Sequence, residues 1–136
     1  MRIPDHMRLI GIDWSAATIN ARINARVQRM LDAGWKREVI ALLDRGPLLA
    51  QPLEAVGYRE LGEAIEGRLT LTDAAERIKT RTRRFAKQQR TWLKRFRDGE
   101  KSLWIDADHS PEGAWSRKVS DWLLAGSRTG NSPFPT

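Results

Sequence analysis

The sequence predicts a mainly helical chain with two short strands, at about residues 8–14 and 102–105, and three observations carry that reading. Apolar residues recur at three- and four-residue spacing through most of 16–97, the period of a helix with one buried face. Glycines punctuate the periodic stretches at Gly34, Gly46-Pro47, Gly67 and Gly99. The apolar runs Arg8–Trp14 and Ser102–Ile105 are too short for helices and read as strands.

Taken in order, the first strand ends at Asp13 or Trp14, and Ser15 supplies an N-cap hydroxyl for a helix over Ala16–Ala33. Ile19, Ile23, Val27, Met30 and Leu31 share one face of that helix, with Arg22, Arg26 and Arg29 beside it, and Gly34 closes it. A second helix, about Lys36–Asp44, buries Val39, Ile40, Leu42 and Leu43. Pro52 breaks regular helix in Leu48–Val56, which reads as an ordered loop. Gly57-Tyr58-Arg59-Glu60 leads into a third helix that ends before Gly67.

Thr70 or Thr72 then caps a long basic helix, with Asp73 and Glu76 in its first turn complementing the helix dipole. Ile78, Thr82, Phe85, Gln89, Trp92, Leu93 and Phe96 form its expected core-facing stripe, and Phe85, Trp92 and Phe96 are read as packing residues. A final helix opens at Pro111 and carries Trp115, Val119, Trp122 and Leu123. The folded portion is expected to be 1–124, with 125–136 a disordered tail. The two strands either pair with each other or belong to a larger sheet, because an isolated pair is marginal in water.

Charge is the strongest functional signal. Eleven of the 24 lysines and arginines lie between Glu76 and Lys101, against three acids, Glu76, Asp98 and Glu100. Arg83, Lys87, Arg90, Lys94 and Arg97 share one face of the basic helix, and Arg77, Arg81, Arg84 and Arg95 line a flank. A solvated helix normally alternates its charges to form i,i+4 pairs. Here the deficit of acids favours a nucleic acid or phosphate partner over plain solvation.

The remaining composition sets limits. A net charge of +7 and a pI near 10.5 suit an acidic partner. The 136 residues fit one small domain, and the absence of cysteine excludes disulfides, thiolate metal sites and a cysteine nucleophile. His6 and His109 fall in expected loops and make a poor metal site, so no metal ligands and no catalytic residues are assigned. No apolar run approaches the roughly 18–20 residues of a membrane span, and the first residues lack the apolar centre of a signal peptide. The expectation is a soluble cytoplasmic protein with no membrane partner.

Five blocks in fixed order carry a family resemblance. They are Arg22-Ile23-x-x-Arg26-Val27-x-x-Met30-Leu31-x-x-Gly34, then Glu38-Val39, then Val56-Gly57-Tyr58-Arg59-Glu60, then Thr82-Arg83-x-x-Ala86-Lys87-x-Gln89-x-Thr91-Trp92, then Trp104-Ile105-Asp106. Together they resemble the C-terminal part of bacterial tRNA dimethylallyltransferases (tRNA isopentenyltransferases), over about Leu9–Leu124. The resemblance implies the helical C-terminal portion of a P-loop-type α/β enzyme. That enzyme transfers a dimethylallyl group from its diphosphate to the exocyclic nitrogen of the adenosine beside the anticodon.

By that resemblance Arg26 matches an arginine that contacts the prenyl diphosphate. Gly57, Tyr58, Arg59, Arg83, Lys87 and Gln89 match positions that contact tRNA. A fixed guanidinium suits the charge that develops on a departing diphosphate, and flat side chains and cations suit splayed loop bases and their phosphates. Read without the resemblance, Arg26 is a surface arginine on an amphipathic helix, and Tyr58 is equally a core residue behind a turn.

The family's Mg²⁺ site, phosphate loop and catalytic aspartate belong to an N-terminal half that these blocks do not include. Gly99-Glu100-Lys101-Ser102 imitates a phosphate loop but separates its glycine from its lysine. The chain departs from the family pattern at Ala16, Glu54 and Gln88, which bears on RNA affinity more than on fold. The expected partners are therefore a tRNA anticodon stem-loop, dimethylallyl diphosphate and a separate P-loop-containing chain, and transfer by this chain alone is not expected. Three readings stand at this point: part of a truncated or split transferase, a free-standing helical RNA-binding module, and a subunit that completes a P-loop chain.

Overall fold

A computed structural model describes residues 3–46, 54–97 and 99–127. They form β1 (Leu9–Asp13), α1 (Ala16–Asp32), α2 (Trp35–Leu43), α3 (Tyr58–Ile65), α4 (Leu71–Leu93), β2 (Ser102–Asp106) and α5 (Trp115–Ser127), with 3-10 turns at Lys94–Phe96 and Glu112–Ala114. Helix predominates, as expected. The chain divides into two compact units: a helical unit, Ile19–Gln88, and a sheet unit built from 1–18 and 89–136. The expected loop Leu48–Val56 lies outside the described residues up to 53, and α5 continues to Ser127, past the expected boundary at 124.

Local chemistry accounts for most element ends. The Ser15 hydroxyl accepts from the Thr18 amide at 3.2 Å, so it caps α1 as the sequence predicts. Gly34 takes φ 104° between α1 and α2, a conformation that costs glycine little and other residues much. Of the two threonines offered as caps for α4, Thr70 serves: its hydroxyl accepts from the Asp73 amide at 3.0 Å.

In the helical unit Val27, Trp35, Val39, Leu61 and Ile78 form the buried core, with Ile23, Leu31, Leu43, Val56, Tyr58 and Ile65 packed against it. Full burial of side chains of this size stabilises by roughly 1.5–3 kcal/mol each. Ile40, expected inside, is instead 36% exposed. The stripe expected along α4 is also corrected. Ala74, Ala75 and Ile78 are buried, but Phe85 is 56% and Trp92 48% exposed. Helical period fixes which residues share a face and does not supply a surface to cover it; the core cluster reaches α4 at Ile78. Trp92 meets Phe96 edge-on at 5.1 Å, a local pair that leaves the indole half in water.

In the sheet unit β1 and β2 pair with each other, in parallel, with Leu9 opposite Ser102 and Asp13 opposite Asp106. Backbone bonds Leu9 N to Lys101 O (2.9 Å) and Ala107 N to Asp13 O (2.8 Å) extend the ladder at both ends. The Trp104 indole lies over Gly11, where a Cβ would come within 2.4 Å of Cε3, and the Arg97 guanidinium lies over the same indole at 5.2 Å. Arg97 also pairs with Asp13. Ile105 and Ala107 are buried, whereas Ile10 and Ile12 are 46% and 49% exposed.

Beyond β2, the Asp106 carboxylate accepts from the amides of Asp108 (3.1 Å) and His109 (3.3 Å) and meets His109 Nδ1 at 2.8 Å. Asp108 accepts from the Ser15 amide at 2.7 Å, fastening this loop to the start of α1. Trp14 and Trp115 meet edge-on at 6.3 Å.

Candidate nucleic-acid interface

The site grows from the turn before α3. Gly57 is buried at φ 104°, and a Cβ there would lie 2.1 Å from Trp35 Cη2, so only a glycine lets the turn close on the indole. The next residue, Tyr58, sets its ring edge-on to Trp35 at 6.3 Å and donates its hydroxyl to Glu38 Oε1 at 3.2 Å. Burial first, and the neighbouring Glu38 charge second, push the Tyr58 hydroxyl above its ordinary value of 10.0. Tyr58 is therefore a neutral donor at physiological pH. Arg59 follows on the exposed side of the turn.

Glu60 holds this turn from beneath. It is 6% exposed, accepts the Gly57 amide at 2.9 Å on Oε2, and accepts Arg81 at 3.1 Å on Oε1. A second Arg81 nitrogen donates to the Glu54 carbonyl at 2.9 Å. A buried carboxylate is tolerated only when its oxygens are satisfied in this manner.

Beside the turn runs a groove of about 410 Å³, walled by Ile23, Val27 and Met30 of α1, Trp35 and Glu38 of α2, Val56 and Tyr58, and Ile78 and Thr82 of α4. Arg26 lines it, exposed, and among the described residues no ion pair engages its guanidinium. The helical unit thus brings two of the sequence-assigned residues, Arg26 and Tyr58, into one apolar groove. Arg83 is anchored to α1, with one nitrogen on Asn24 Oδ1 at 2.6 Å and another on Thr80 Oγ1 at 3.0 Å. Lys87 is exposed one turn further along α4. Gln89 is also exposed on α4 and falls in the sheet unit.

The acids that α4 lacks arrive from α3. Glu60 pairs with Arg81 and Glu63 with Arg77 at 3.4 Å. Within α4, Lys79 pairs with Glu76 at 2.8 Å and holds its carboxyl below the usual range. The flank assigned to a polyanion is in part neutralised, and free positive charge is sparser there than the sequence count implies. Sequence reasoning missed Trp35 and Glu38 as parts of the site, and it read Arg81 as a flank cation for a polyanion where the structure sets it on Glu60. Glu60 at the third helical position after Gly57 was a readable capping signal; the reach of Arg81 was not. Among the described residues no group of three His, Asp or Glu side chains is placed to hold a metal ion, so the Mg²⁺ implied by the resemblance finds no ligand set in them.

Comparison with known proteins bears on the whole arrangement. The family described as IPP transferase matches residues 2–96. A tRNA dimethylallyltransferase of Symbiobacterium thermophilum is 45% identical over 98 residues, covering 72% of this chain and 30% of the relative. One from Staphylococcus aureus is 40% identical over 101 residues, covering 74% and 32%. Among solved structures, the tRNA delta(2)-isopentenylpyrophosphate transferase of Staphylococcus epidermidis superposes with a TM-score of 0.76 at 32% identity, over 86% of this chain and 38% of that one. The full-length tRNA isopentenylpyrophosphate transferase of Bacillus halodurans gives 0.71 at 31% identity, over 89% and 39%. The chain spans about a third of the length of the curated relatives it matches.

Proposed function

The chain belongs to the IPP transferase family, and from that premise we propose that it forms the part of a tRNA dimethylallyltransferase that contacts tRNA and the prenyl diphosphate. The observation that carries this reading is the groove that joins Arg26 to Tyr58. Its largely apolar walls would lower the local polarity around a phosphate held against the Arg26 guanidinium, which strengthens that interaction. Arg26 stabilises charge that develops on the departing diphosphate. Tyr58, Arg59, Arg83, Lys87 and Gln89 contact the anticodon stem-loop: Tyr58 through its ring, the cations through phosphates, Gln89 by hydrogen bonding, while Gly57 lets the turn close.

The open side of the sheet supports a further element of the reading. Parallel strands normally occur in sheets covered on both faces, and here Ile10 and Ile12 are about half exposed. The partner proposed for that side is a P-loop-containing polypeptide of the P-loop-type α/β fold, acting in the cytoplasm. The competing reading is a free-standing RNA-binding module that uses the same cations without prenyl chemistry.

Two assays on the purified chain separate these readings. One is prenyl transfer with dimethylallyl diphosphate, Mg²⁺ and an unmodified anticodon stem-loop. The other is a salt titration of binding to the same RNA. Three phosphate contacts give a slope of log K against log[salt] of about −2 to −3. Binding with that slope, and transfer that arises only when a P-loop-containing chain is added, supports the proposal. A salt-insensitive or absent RNA interaction overturns it.

A further inference from the structure

We infer that Glu60 and Arg81 are positioning residues, a clamp of one buried carboxylate and one partly exposed guanidinium that sets the Gly57–Arg59 turn in its RNA-contacting form before RNA arrives. The inference rests on the RNA-contacting role proposed above for Tyr58 and Arg59.

Capping α3 requires one carboxylate oxygen on the Gly57 amide, and an exposed glutamate at the same position would supply it. Instead Glu60 is 6% exposed and its second oxygen takes Arg81 from a helix 21 residues away in sequence. Arg81 in turn holds the Glu54 carbonyl at 2.9 Å, so a single guanidinium ties both ends of the turn to α4. On the other side Trp35 and Glu38 fix Gly57 and the Tyr58 hydroxyl. A segment held from two sides has little freedom left to lose on binding, and ordering that is already complete does not weaken the complex. Arg81 acts inward, on Glu60, rather than on phosphate.

Tyr58 is the only tyrosine in the chain, so 3-fluorotyrosine labelling yields a single fluorine resonance that reports on this turn. The test compares Glu60→Gln, which keeps an acceptor for the Gly57 amide, with Arg81→Met, each first shown to be folded by its thermal melt. In both, the Tyr58 fluorine line broadens or splits, affinity for the anticodon stem-loop falls about 3- to 10-fold, and the salt slope stays at the wild-type value. Should Arg81→Met not fold, Glu60→Gln decides the matter alone. An unchanged fluorine line with unchanged affinity overturns the inference. So does an affinity loss accompanied by a slope shallower by about 1, which would mark Arg81 as a phosphate contact. Absence of binding by the wild-type chain overturns the RNA reading instead; binding by wild type with indifferent variants overturns the clamp alone.

Discussion

The helical unit encloses a fully buried core, with Phe85 and Leu71 left 56% and 43% exposed outside it, whereas the sheet unit leaves both isoleucines of β1 half in water. In the first, Val39, Leu61 and Ile78 are completely buried. In the second, Ile10, Ile12, Trp92 and Leu124 are between 46% and 63% exposed. Four helices of modest length can surround a core from within 70 residues, whereas two parallel strands with one helix cannot cover both faces of a sheet. The contrast teaches that the two units depend on different things: one on its own packing, the other on whatever covers its open face.

The largest expected effect tests the closed unit. Leu61→Ala, at a fully buried position, should destabilise by about 2–5 kcal/mol, read from urea unfolding. Ile12→Ala, at a half-exposed one, should cost well under half of that; equal losses would mean that the open face is covered in solution. Next, Ile10→Thr with Ile12→Thr should reduce concentration-dependent self-association, measured by sedimentation, without lowering the melting temperature of the helical unit. Unaltered association would locate the sticky surface elsewhere, at Phe85 or Trp92.

The smallest effect concerns pH and is confined to the sheet unit. Asp106 holds the His109 imidazole above its ordinary 6.5, first by hydrogen bonding and then by charge. The folded state therefore binds that proton more tightly than the unfolded chain, and the stabilisation is complete below 6.5 and fades as pH rises through the folded value. Asp106, held below its ordinary 3.8 chiefly by the His109 hydrogen bond, behaves in the opposite sense: its contribution is present above 3.8 and lost as pH falls through the folded value. A shallow stability maximum between those limits should flatten in His109→Ala. A dependence that survives the substitution would move its origin to another group.

What could be read in the sequence was local. Ser15, Gly34, Gly67 and Thr70 end or begin helices through atoms within three residues of themselves, so composition and spacing sufficed. The pairing of Leu9 with Ser102 is a matter of tertiary closure, and the sequence left both options open. Phe85 and Trp92 were misread because periodicity records a shared face and not a cover. The charge of α4 was overcounted because Glu60 and Glu63, which answer Arg81 and Arg77, lie on another helix. At the candidate site, Arg26, Tyr58 and Arg59 were named through the family resemblance alone, while the Trp35 and Glu38 supports were not, since nothing in α2 alone shows which turn it will face.

The contact between Gly57 and Trp35 constrains how this chain can change over generations. Every codon change that replaces Gly57 adds a side chain at φ 104°, into space the indole occupies, so tolerance falls at once to nothing rather than declining with residue size. Shrinking Trp35 opens the space and leaves the backbone strain. The constraint therefore runs one way: Trp35 can shrink at the cost of a cavity, whereas Gly57 is held twice, by the indole and by its own backbone conformation.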